Sequence, residues 1–440
     1  MKKGDDMYNT LKKHTCLAVA IVLVLLLIAS SLKGSMQAQA ASSKMQTGKV
    51  DPTIDQVAQE VLWNIRTNGF NPIAKTKGMV TGGLYVNWRM DNPGITNNVN
   101  PNSNDDPPSS HDIQTDLFYL NALAEYKYLH GQESSHDQDI ARITPIVHNE
   151  FFNYNLPKGW VYFYLLRDGY LLNDPVLTQE AQMAATNYYN NWYDQRLGLL
   201  YNKSHTPGVY SVEHSLTAGA ALIDAGTRMG HPEWVQAGKA TINTVLPASY
   251  NIQAQLFYNN MTVNADGSEM VMNEQGKAST QGSAVEALLA AYEITHNPQY
   301  LTISTAVLQS LFTTSGLWDQ RNGGLFFAYD LNSRTLEQKY KETRAQAHIL
   351  IGLYRYNQIM RQLGQSQQFL DKQQQLINLL STNFYQPIYH GYFYRVTPTF
   401  GNVISNGPDG TPQPEIYFTT EAMGLALDAL QQTEFSTISL

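Results

Sequence analysis

Five short stretches of this chain place charged, amide and imidazole side chains just ahead of long apolar runs. They are His111-Asp112-Ile113-Gln114-Thr115-Asp116, Ser211-Val212-Glu213-His214-Ser215, Lys277-Ala278-Ser279-Thr280-Gln281, Lys341-Glu342-Thr343-Arg344-Ala345-Gln346 and Glu415-Ile416-Tyr417-Phe418-Thr419-Thr420-Glu421. Two carboxyl groups, one protonated and one ionised, can move protons on either side of a bound ligand. Asp112, Asp116, Glu213 and Glu421 are the preferred candidates, with Glu342 and Glu415 also available. Asp112 and Asp116 stand four residues apart, on one face if helical. Each is equally readable as an ordinary first-turn acid favoured by the helix dipole. Glu421, between Thr420 and Ala422, reads as buried, and burial raises a carboxyl pKa as a general acid requires. His214 is either a proton carrier or a satisfied structural histidine. Arg344 is suited to hold a ligand carboxylate or hydroxyls, or it pairs with a neighbouring acid. His111 and Gln281 complete the polar binding set. Trp88 (after Asn87), Trp160 and Tyr417 offer rings for stacking.

These turns need elements that bring them together, and internal repeats supply them. Six segments share an aromatic pattern, usually opened by glycine: Gly82-Gly83-Leu84-Tyr85-Val86, Gly159-Trp160-Val161-Tyr162, Gly198-Leu199-Leu200-Tyr201, Gln255-Leu256-Phe257-Tyr258, Gly323-Gly324-Leu325-Phe326-Phe327 and Gly391-Tyr392-Phe393-Tyr394. Each reads as a short strand or extended turn. Their spacing of about 60 residues leaves room for two helices per repeat. Asp174-Pro175, His231-Pro232 and Asn297-Pro298 put Pro at the first helical position. Outer, one-striped helices are expected near 53–68, 136–152, 176–192, 232–245, 298–313 and 367–383. Inner, nearly all-apolar helices are expected near 111–129, 161–172, 212–229, 279–295, 341–361 and 416–431. Inner helices apolar on both flanks imply a closed double ring, an all-α (α/α)6 toroid with short β-segments at one end. The polar first turns then converge on one end of the central cavity.

Composition narrows the setting. The 440 residues are 43% hydrophobic and 15% charged, with 29 Lys+Arg against 37 Asp+Glu and 27 Tyr. That is ample for a large core, and it lacks the basic patch a nucleic-acid partner needs. Lys2, Lys3, Lys12 and Lys13 precede an apolar run, Leu17 to Ser30, and Ala38-Gln39-Ala40 forms an A-x-A site. Residues 1–40 are therefore expected to be a signal peptide cleaved after Ala40, residues 41–50 a linker, and residues 51–440 one toroid domain. The reading predicts a secreted, extracellular monomer, free of the membrane after cleavage. Cys16, the single cysteine, leaves with the signal, so no disulfide is available. No zinc spacing, phosphate loop or dinucleotide fingerprint occurs, and Asn102 to Asp106 reads as a solvated loop. No metal and no cofactor are expected.

The stretch Trp318-Asp319-Gln320-Arg321-Asn322-Gly323-Gly324-Leu325-Phe326-Phe327, followed by Lys341-Glu342-Thr343-Arg344-Ala345-Gln346-Ala347, resembles a run in N-acylglucosamine 2-epimerase-like proteins. As a whole the pattern resembles the six-hairpin glycosidase superfamily, which also holds glycoside hydrolases and some polysaccharide lyases. The resemblance implies the toroid fold and a carbohydrate substrate. The epimerases' paired histidines find no clear match here. Nor do the paired aspartates of the family 76 mannanases, because Asp105-Asp106 stands in a loop before prolines. The expectation is a glycoside hydrolase using carboxylate acid/base catalysis on an oligo- or polysaccharide. A sugar epimerase or isomerase, and a non-catalytic glycan-binding protein, are the alternatives.

Overall fold

In a computed structural model, residues 50–76, 79–93, 96, 113–131, 135–150, 157–267, 269–271, 274–406 and 411–435 are described. The signal and linker readings therefore fall almost wholly outside the described residues. So do His111, Asp112 and the Asn102–Asp106 loop. Contacts group Lys49–Leu440 into one compact unit.

Twelve α-helices occur among the described residues. The outer set is α1 (Pro52–Asn64), α3 (Asp137–Glu150), α5 (Pro175–Asn187), α7 (Pro232–Ser249), α9 (Pro298–Gln309) and α11 (Leu370–Thr382). The inner set is α2 (Ile113–His130), α4 (Gly159–Leu171), α6 (Val212–Met229), α8 (Ala278–Thr295), α10 (Thr343–Gln362) and α12 (Thr420–Gln432). Pro175, Pro232 and Pro298 open α5, α7 and α9 as expected, although His231 makes no side-chain capping bond. Asp51, Asp174 and Asn297 accept hydrogen bonds from backbone N–H groups of the first turns of α1, α5 and α9, each with Pro at its start. Each inner helix packs on its two inner neighbours, α2 on α4, then α6, α8, α10, α12 and back to α2. This closes the ring and explains why an inner helix needs apolar residues on both flanks.

The repeated aromatic segments form miniature hairpins. Phe70–Asn71 pairs with Gly83–Leu84, Tyr193–Asp194 with Leu199–Leu200, Tyr250–Asn251 with Leu256–Phe257, and Tyr385–Gln386 with Gly391–Tyr392. Trp318 bridges Leu325 in the same way. The residue before the returning strand is left-handed: Gly82 at φ 76°, Gly198 at 64°, Gln255 at 55°, Gly324 at 79° and His390 at 52°. That requirement accounts for the recurring glycine.

The second repeat departs from the expected pattern. Gly159-Trp160-Val161-Tyr162 is the first turn of α4 rather than a strand. Its alternating apolar residues fit a strand, but the apolar run continues through Leu166 and serves a helix buried on most sides. Gly159 starts that helix because a Cβ there would lie 2.1 Å from the Thr217 backbone of α6. Two inner helices also start later than expected. Lys341–Glu342 pairs with Arg395–Val396, and Tyr417–Thr419 pairs with Asn87–Arg89, so both stretches are strands before α10 and α12.

Four side chains from neighbouring elements hold the returning strands. Gln281 Oε1 accepts from the Phe257 N–H at 2.7 Å, and its Nε2 donates to the Phe257 carbonyl at 2.8 Å. Gln346 treats Leu325 identically, at 2.8 and 3.0 Å. Asp116 Oδ1 accepts from the Leu84 N–H at 3.0 Å, and Thr241 Oγ1 from the Leu200 N–H at 3.2 Å. The Gln281→Ala variant would strand two buried backbone groups. It is expected to lose about 1–3 kcal/mol in urea unfolding with substrate KM unchanged.

Candidate active site

A narrow chamber of about 60 Å³ opens among the inner helices. One wall is aromatic: Trp160 stacks on Phe118 at 5.0 Å, with Tyr164 beside both and Phe163 nearby. The other walls carry Glu213, Glu286, His348, Arg355, Glu421, Asp428 and Arg167. Helix periodicity selects these residues. On α10, His348, Ile351 and Arg355 fall at spacings of three and four, which form one face, and Arg344 stands one turn earlier on it. On α4, Trp160, Phe163, Tyr164 and Arg167 do the same. Gly282 on α8 lets α10 approach at His348, since a Cβ there would meet the His348 Cβ at 2.6 Å.

Arg344 joins two of the expected acids. Its Nη2 donates to Glu213 Oε2 at 3.1 Å and its Nη1 to Glu421 Oε1 at 3.0 Å. Burial would raise the Glu213 carboxyl, but Arg344 and His348 hold it below the ordinary glutamate value of 4.5. Glu421 departs from the buried reading, because its side chain is a third exposed, at 33%. His348 Nδ1 lies 3.2 Å from Glu286 Oε1. Burial raises the Glu286 carboxyl. Burial opposes the His348 cation, yet Glu286 and Glu213 raise it above 6.5 overall. Both shifts favour keeping a proton on the Glu286–His348 pair. His214, beside Glu213, is pushed down to about 4 by burial and is neutral, with its Nδ1 buried and unpartnered.

Deeper in the ring lies a second ionic group. Arg167 Nη1 donates to Glu125 Oε1 at 3.0 Å and Asp428 Oδ1 at 2.9 Å, and the Tyr164 hydroxyl donates to Asp428 Oδ2 at 2.8 Å. Burial, then Asp428, pushes Glu125 far up. Burial does the same to Asp168, neither of whose buried oxygens has a partner.

Of the residues singled out from sequence, Glu213, Glu421, Arg344 and Trp160 meet around this chamber, with His214 adjoining Glu213. Others have different places. Asp116 is fully buried and bonded to the Leu84 backbone, so it is a strand holder rather than an acid at the chamber. Gln281 is likewise fully buried, with both ends of its amide on Phe257. Trp88 is fully buried against Phe418, which removes its face from any ligand. Tyr417 is 2% exposed and stacked on Tyr394. Glu286, His348, Arg167 and Asp428 were missed by sequence reading because they lie beyond the first turns. Their one signal is that they are polar residues on the shared face of otherwise apolar helices. Among the described residues, no cluster of His, Cys, Asp and Glu could hold a metal ion.

No family model matches the chain, and no curated protein does. Solved structures do match. An unsaturated glucuronyl hydrolase specific for heparin is 14% identical, with a TM-score of 0.60 over 87% of this chain and 97% of that one. A family 76 α-mannanase from Bacteroides thetaiotaomicron is 14% identical, with a TM-score of 0.57 over 88% of this chain and 97% of that one. A D-mannose isomerase is 12% identical, with a TM-score of 0.55 over 89% of this chain and 100% of that one. The closed ring of inner helices inside a ring of outer ones, shared across nearly the whole length of these enzymes, is the six-hairpin glycosidase-like (α/α)6 toroid, and this chain has that fold.

Proposed function

We propose that this protein is an exported glycoside hydrolase whose reaction is run by Glu213 and the Glu286–His348 pair. The observation that carries the proposal is their placement in one aromatic-walled chamber with opposite shifts. Arg344 and His348 draw the Glu213 carboxyl down, whereas burial raises Glu286 and its carboxylate neighbours raise His348. The pyranose ring stacks on the Trp160 side. The pair donates its proton to the leaving glycosidic oxygen as the bond to the anomeric carbon breaks. Glu213 either takes a proton from the attacking water or itself attacks that carbon, to be released by water. The net change is addition of one water across one glycosidic bond.

The test is release of reducing ends from a panel of oligo- and polysaccharides, followed across pH. A bell-shaped profile of kcat/KM is expected. Its acid limb falls below the ordinary glutamate value of 4.5, as Glu213 protonates, and its alkaline limb lies above 6.5, as the pair loses its proton. Glycan binding with no product from any member of the panel would reject a hydrolase. Export is tested by sequencing the mature N-terminus, expected at Ala41.

A second reading rests on the same His348–Glu286 unit, which is equally built to move a proton beside a sugar carbonyl. The structural likeness to a D-mannose isomerase supports it. Incorporation of solvent deuterium into an unhydrolysed monosaccharide would favour isomerisation.

A further inference from the structure

The hydrolase reading leaves the charge of the sugar open, and the solved enzymes that share the fold include one for an unsaturated glucuronyl group and one for mannan. The chamber's own ion pairs bear on this. Arg344 is claimed by Glu213 and Glu421 on its two terminal nitrogens, and its Nε is buried without a partner, out of a ligand's reach. Arg167 is claimed by Glu125 and Asp428. Arg355 donates to Glu293 at 2.8 Å, and His348 lies against Glu286. Toward the strand end, Arg395 is held by Glu415, and Lys277 lies over the Phe327 ring at 5.5 Å. Thus each guanidinium and imidazole lining the chamber, among the described residues, already has a carboxylate. Acids outnumber bases, with Glu342 and Asp168 in addition.

We infer that the chamber selects uncharged sugar residues over uronates, and that Glu421, by occupying Arg344 Nη1, is a specificity-determining residue. A sugar carboxylate entering beside Glu213 and Glu421 would meet like charge, and the guanidinium and imidazole groups there already hold carboxylates. Hydroxyl groups suffer no such penalty, because they can donate to the Glu213 and Glu421 carboxylates. Glu421 is the replaceable member of the set: it is a third exposed, whereas Glu213 is almost fully buried.

This inference rests on the proposal that the chamber binds a saccharide, and binding tests it separately from turnover. The probes are manno-, gluco- and galacto-oligosaccharides and the same oligosaccharides oxidised at C6 to uronates. Calorimetry measures their binding to the native protein and to Glu421→Gln, alongside product formation. The uncharged series is expected to bind native protein at least ~100-fold more tightly than the oxidised series. The variant is expected to gain about 10-fold in uronate affinity as Arg344 Nη1 is freed. Tighter binding of uronates by native protein, or no uronate gain in the variant, overturns the inference. Uncharged sugars bound with the expected preference but never cleaved reject the hydrolase and support the charge selection. Binding of neither series overturns both.

Discussion

The Glu213→Gln variant is expected to lower kcat by about 10³-fold or more while leaving the protein folded, because it removes the chamber carboxylate whose pKa its neighbours draw down. Gln is isosteric, so its amide oxygen can still accept from Arg344 Nη2, now 3.1 Å away, and the wall keeps its shape. What is lost is the charge. A neutral amide can neither take a proton from water nor attack an anomeric carbon. The matched Glu286→Gln variant removes the other half of the unit. It is expected to move the alkaline limb of the pH profile to lower pH, because His348 no longer has the carboxylate that raises it. Native-like circular dichroism and unchanged glycan binding with kcat within a few-fold of wild type, in both variants, would remove these residues from the reaction. The stability side has a definite sign. Glu213 is depressed in the folded state, so its contribution is present above 4.5 and is lost as pH falls through its folded value.

The second large effect concerns the deeper ionic group. Arg167→Met is expected to cost about 3–5 kcal/mol in urea unfolding at pH 7, because it leaves Glu125 and Asp428 buried without their cation. Both carboxylates are almost fully buried, at 0% and 2%, and Arg167 itself is only 12% exposed, so solvent offers little relief. Glu125 is raised by burial even with the arginine present. Removing Arg167 raises it further, so protonation relieves the strain and the loss should shrink at pH 5. The unfolded carboxylates bind fewer protons than the folded ones over this range, so variant stability falls as pH rises. A loss that is equal at the two pH values would mean that the missing packing of the Arg167 stem, not the stranded charge, accounts for the effect.

These two expectations rest on residues of different legibility. Glu213 stands in the first turn of an inner helix, where polar residues interrupt an apolar run, and the alignment of repeats singles out that position directly. Arg167 and Glu286 stand within the runs. Sequence reading treats 284–294 as apolar nearly all round and so passes over the one acid that faces the ring's interior. Asp116 and Gln281 show the converse. They occupy the same polar turns as Glu213, yet they point to the backbone of a neighbouring strand rather than to the chamber. Residue type and register are alike in the two cases. The difference is which flank of the helix meets the hairpin and which meets the axis.

From the sequence alone came the repeat count, the alternation of outer and inner helices, the prolines that start them and the closed ring. These follow from periodicity, and periodicity is written locally in the chain. Gly159-Trp160-Val161-Tyr162 is the exception, because an apolar alternation in a helix buried on most sides looks like a strand until its neighbours are placed. The tertiary structure alone decided which polar residues share a space. Arg344 lies 131 residues from Glu213 and 77 from Glu421, and His348 lies 62 from Glu286. No spacing along the chain encodes such pairings. They arise because closing the ring turns one face of every inner helix toward a common axis, where burial and neighbouring charges then shift each carboxyl group.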